Sequence, residues 1–158
     1  MSRTRTALQA LQRAVFVAGM AGAAALAEPA QAGLISMLTT ERPAAEEFGT
    51  GPRASAKHLY QATLQQPAQG FRLRQLQTVP VRIVDANGRP VEGATIKVDG
   101  GMPQHSHGLP TQPQVNRYLG NGVYEIEGLR FSMGGWWEVK LAIEAPGGSD
   151  NVTFNLSL

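Results

Sequence analysis

Three histidines occur in this chain of 158 residues, and two of them, His105 and His107, share the stretch "GMPQHSHGLPTQP" with Met102. In extended backbone, residues at i and i+2 point the same way and stand ~6.5–7 Å apart, near enough for two imidazoles to converge on one ion. Pro103, Pro110 and Pro113 fix φ at three points and remove three N–H donors, which makes the segment stiff and unsuited to sheet pairing. Donor softness narrows the ion. Imidazole with thioether, and no thiolate or adjoining carboxylate, suits copper and above all Cu(I). Zinc would want cysteine, or histidine with an acid, and the nearest acid, Asp99, is set apart by Gly100-Gly101.

A second thioether, Met133 in "GLRFSMGGWW", is a candidate further ligand. Strand phase places Trp136 on the polar face beside Glu138, where an exposed indole would face a cation or mark a surface for a partner protein. Each residue also has an ordinary reading. Loop histidines are commonly solvated, Met102 and Met133 would serve as apolar filler, and His58 reads as a surface histidine.

The elements that must position these residues are strands. "QTVPVRIVD" alternates, with Val79, Val81 and Ile83 on one face. "GATIKVDG" does the same with Ala94, Ile96 and Val98, and the glycine pair is expected to end it. Asn87-Gly88 and Asn121-Gly122 are tight-turn signals. "WWEVKLAIEA" puts Trp137, Val139, Leu141 and Ile143 on one face, and "NVTFNLSL" alternates without a break. One apolar and one wet face per strand belongs to antiparallel sheets. About seven short strands over ~100 residues predict an all-β, immunoglobulin-like antiparallel sandwich, with a small Greek-key barrel as the alternative.

The start of the chain has another character. Residues 1–32 carry a basic head with Arg3, Arg5 and Arg13, an uncharged run over 14–27, and Ala30-Gln31-Ala32 as a small-residue exit. This is the pattern of a secretory signal peptide, and the run of ~14 residues is short of the ~20 that a spanning helix needs. An uncleaved membrane anchor is the alternative. Residues 33–54 lack periodicity and read as a flexible linker, with a marginal helix near 44–48; residues 55–158 form the folded domain. Three of the 14 Lys and Arg and one of the 12 Asp and Glu lie in the leader, so residues 33–158 carry eleven of each. The basic balance is therefore a targeting feature, and no basic stripe for nucleic acid exists. Without cysteine, the fold has no disulfide and no thiolate chemistry.

"DANGRPVEGATIKVDGGMPQHSHGLPTQPQV" followed by "GNGVYEIEGLRFSMGGWWEVKLAI" resembles the YtkA-like domain, related to the FixH-like proteins. The likeness spans roughly 78–158. It rests on M-P-x-H-x-H-G at Met102, Pro103, His105, His107 and Gly108, and on a second element through Gly122, Tyr124, Gly128, Leu129, Phe131, Met133, Gly135 and Trp137. The resemblance implies an immunoglobulin-like sandwich in an exported or membrane-anchored protein, copper handling, and a role in respiratory oxidase maturation, with Met102, His105, His107 and Met133 as motif residues. Gly134 stands where the family pattern often has proline, which would loosen the loop around Met133.

The expectation is thus a periplasmic copper-binding domain, a chaperone or buffer, with a protein partner in the periplasm or inner membrane. The alternative is a metal-free assembly module that docks through the proline-rich loop and Trp136. No nucleophile, phosphate loop or paired carboxylates suggest an enzyme.

Overall fold

The computed structural model describes residues 41–158; the leader and residues 33–40 of the linker lie outside them. Nine strands form two antiparallel sheets. The first contains β1 (Arg53–Ala54), β2 (Tyr60–Leu64), β3 (Gln77–Asp85), β7 (Val123–Leu129) and β6 (Gln114–Gly120), in that order. The second runs β5 (His107–Gly108), β4 (Thr95–Met102), β8 (Trp136–Ala145), β9 (Gly148–Ser157). The sheets share no strand, so the architecture is the expected all-β sandwich and not the barrel.

Alternation builds the core as the sequence predicts. Val79, Val81 and Ile83 from one sheet face Val139, Leu141 and Ile143 from the other, all fully buried. Two residues of β9, Val152 and Phe154, complete that layer. The Asn121-Gly122 turn has positive φ at both residues, 53° and 73°, the geometry that a two-residue hairpin demands. At one end of the core, Phe71, Phe131 and Trp137 form an edge-to-face series with centroids 5.5 and 5.3 Å apart.

The linker is not free throughout. Ala45–Glu47 forms one 3-10 turn, and the chain after it runs beside β9, closing one side of the sandwich. Gly49 N–H donates to the Asn155 carbonyl, and Leu64 N–H donates to Thr50, so this segment ties both sheets. Phe48 lies edge-on to Trp136 at 6.3 Å, and the Arg42 guanidinium sits 4.9 Å over the Phe48 ring.

That packing corrects the placement of Trp136. Strand phase rightly puts it on the outer face, but it is only 1% exposed. Phe48 covers it, and its Nε1–H donates to Asn155 Oδ1 at 3.0 Å. A covered indole offers no surface to a partner. Phe48→Ala is expected to cost about 2 kcal/mol, less than a fully buried phenylalanine. It should also red-shift the tryptophan emission as water reaches Trp136. An unchanged spectrum with unchanged melting would show that the cover does not hold Trp136.

Candidate functional site

The loop with the histidine pair leaves the end of β4. Here the structure departs from the expectation that Gly100-Gly101 stops the strand. β4 continues through both glycines to Met102, with Gly100 opposite Val139 and Gly101 opposite Glu138. The absence of side chains is what permits it. A Cβ on Gly100 would run into the carbonyl oxygen of Glu138, and one on Gly101 into that of His107. The glycine pair is a zone of close backbone approach.

The loop is also folded back, not extended. Pro103–His105 makes a 3-10 turn and Ser106 takes a left-handed conformation with φ 53°. His107–Gly108 then pairs antiparallel with Gly101–Met102. Leu109 N–H donates to the Gly100 carbonyl and closes the hairpin. The segment that its prolines seemed to bar from a sheet therefore forms its edge, because Pro110 and Pro113 fall beyond the two paired residues. The histidines do come together, by a turn and not by extended backbone. Their rings are 5.8 Å apart, centroid to centroid, and both are exposed.

Met102 and Met133 differ in setting. Met102 is 1% exposed and belongs to the core, and its methyl group abuts Gly135, where a Cβ would stand 2.8 Å from Cε. Met133 is 43% exposed. The loop carrying Met133 enters β8, whose first residues lie next to the end of β4, so topology brings Met133 to the same end as the histidine hairpin. Gly134 does not leave that loop loose. Trp137 Nε1–H donates to the Met133 carbonyl at 2.9 Å. Gly135 and Leu158 exchange both main-chain hydrogen bonds, at 2.8 and 3.0 Å.

An open cavity of about 300 Å³ adjoins the hairpin, with Met102, Ser106, His107, Glu138 and Lys140 among its walls. Glu138 and Lys140 pair with each other at 2.8 Å. Strand phase puts both on the polar face of β8, but that they neighbour His107 is not legible, since the β4–β8 register cannot be read from either strand alone. Among the described residues, no group of three or more His, Cys, Asp and Glu is placed to hold a metal. Of the candidate donors, Met102 and His107 line the cavity, His105 stands beside His107, and Met133 lies on another loop at the same end. His58 lies at the opposite end, in the β1–β2 turn, exposed and away from this group.

Residues 56–142 match the YtkA-like family. The chain belongs to it. The match takes in the hairpin, the Met133 loop and most of β8. No curated protein and no solved structure matches the chain.

Proposed function

We propose that this YtkA-like protein is an exported, periplasmic copper-binding domain that carries Cu(I) as cargo, a chaperone or buffer serving respiratory oxidase maturation. The observation that supports this most is the approach of the two exposed imidazoles on a hairpin fixed by the glycine pair. His105 and His107 present neutral nitrogen donors, Met133 supplies an exposed thioether from the neighbouring loop, and Met102 lines the cavity wall behind His107. A neutral set of imidazole and thioether suits a soft monovalent ion. Exposure suits transfer, since an acceptor's ligands can replace these one at a time. Met102 is the donor that has to turn out of the core, so it is assigned the last place in capture. The metal-free docking alternative loses its indole, because Trp136 is covered by Phe48.

The test is a Cu(I) titration of residues 41–158 against a chromophoric chelator. One ion per protein is expected, weakened more than about a hundredfold in His105→Ala/His107→Ala, since ligand loss exceeds the 10–100-fold typical of losing a ligand's supporting partner. Met133→Leu keeps the shape and removes sulfur's donor role, and should weaken binding by a smaller factor. Equal affinity in wild type and the histidine double variant would overturn the proposal.

A further inference from the structure

The end of the sandwich that carries the histidine hairpin is built from three connections: residues 65–76, 103–113 and 130–135. None of them contains an Asp or Glu, while Arg72, Arg74 and Arg130 all lie here. Among the described residues, the ion pairs Asp85–Arg89 and Glu125–Arg117 lie elsewhere, and Glu138, the acid beside His107, is paired with Lys140. The opposite end has a different balance, with Asp85, Glu92, Glu144 and Asp150 in or beside its turns. The connections at the two ends thus differ in charge.

The same end exposes apolar side chains. Leu76 is 69% exposed and Leu73 41%, comparable to Met133 at 43%. Leu73 and Arg74 run alongside the Met133 loop: Leu73 bridges Phe131, Arg74 N–H donates to the Phe131 carbonyl, and Arg74 Nε–H donates to that of Ser132 at 3.4 Å. Leucine and arginine therefore alternate on one rim, in "FRLRQL".

We infer that this end of the molecule docks on the surface of an anionic lipid bilayer. The leucines and Met133 enter the boundary of the acyl region while the guanidinium groups reach lipid phosphates, the arrangement of interfacial proteins. The connection 65–76, with two arginines and no acid, complements a negative surface, and each basic residue close to it adds a modest attraction. A protein-binding hot spot would instead be expected to present an aromatic anchor, and both tryptophans of this end are buried. Docking places the histidine hairpin at the membrane surface. The inference stands on charge and exposure and does not depend on copper.

The experiment is sedimentation of residues 41–158, within which both sheets and the core are complete, with large vesicles. One set is phosphatidylcholine alone, and the other is phosphatidylcholine with phosphatidylglycerol in equal parts. Binding to the anionic vesicles alone is expected, and it should weaken as salt shortens the Debye length toward ~3 Å at 1 M. Arg72→Glu/Arg74→Glu should bind at least about tenfold more weakly. Leu76→Ser should weaken binding several-fold with its thermal melting unchanged. No binding to either vesicle, or equal binding by the charge-reversed variant, overturns the inference. Binding to polyglutamate with none to vesicles overturns it too, and gives the rim to an acidic protein.

Discussion

Gly100→Ala is expected to destabilise the domain by about 3–5 kcal/mol, a large share of the 5–15 kcal/mol that holds a typical domain together. Two independent costs meet at this residue. Its φ is +155°, a conformation that L side chains rarely adopt, and its Cβ would collide with the Glu138 carbonyl across the β4–β8 pair. Neither obstacle can yield cheaply. The clash is with backbone, and β8 is the central partner that carries both β4 and β9. Moving it would open the layer of Val139, Leu141 and Ile143. Chemical denaturation measures the effect, and a loss below about 1 kcal/mol would show that β4 can shift its register without disturbing the core.

Gly101→Ala is the informative contrast. Its φ is unremarkable, and its Cβ would meet His107 and Gly108 on the other side, across the β4–β5 pair. β5 is a two-residue edge, so it can swing away at small cost to the rest. The expected outcome is a modest drop in stability together with the loss of the paired imidazoles, hence weakened Cu(I) binding by a protein that is still folded. Adjacent glycines thus separate the integrity of the fold from the geometry of the hairpin.

How far the sequence reveals this depends on whether a property is local. Strands β3, β8 and β9 are legible because each has one fully apolar face. β6 is not, because "QVNRYLG" forms an edge with hardly any buried face and two breaks in its register against β7. The Asn121-Gly122 turn signals only that the chain reverses there, and leaves the strand before it unannounced. Trp136 shows another limit: phase tells which face a side chain occupies, never what covers that face. The cover is Phe48, 88 positions earlier in a segment that composition marks as linker. The histidine pair was found by spacing alone, but its geometry depends on one left-handed residue, Ser106, whose type gives no hint of it. Gly100-Gly101 looked like a strand ending because glycine often is one, and close approach becomes visible only when the partner strands are known. Glu138 and Lys140 beside His107 are hidden for the same reason.

Asp150 supplies the second large effect, and it concerns how the β1–β2 turn is held. Its carboxylate is buried at the start of β9 and accepts backbone N–H groups from Lys57 at 3.0 and 3.1 Å, from Leu59 at 3.2 Å and from Asn151 at 2.8 Å. Burial opposes its ionisation, but the neighbouring Ser55 hydroxyl and these backbone donors outweigh it, and the carboxyl falls from 3.8 to about 2. Asp150→Ala would leave the Lys57 and Leu59 donors unpaired, at about 2–4 kcal/mol in all. The pH dependence gives a sharper readout than the loss itself. Because the folded value lies below the unfolded one, the unfolded chain binds the proton more readily. The stabilisation is therefore complete above about pH 4 and disappears as pH falls through about 2. Wild-type stability should decline across that window, while Asp150→Ala declines less, so that the two curves converge in acid. Asp85, also lowered, chiefly by the backbone N–H and side chain of Arg89, is common to both proteins and cancels in the comparison. Curves that stay parallel from pH 4 to pH 2 would show that Asp150 holds the turn without its charge. Convergence would identify the carboxylate as the group that fastens the β1–β2 turn to β9, at the end of the sandwich opposite the histidine hairpin.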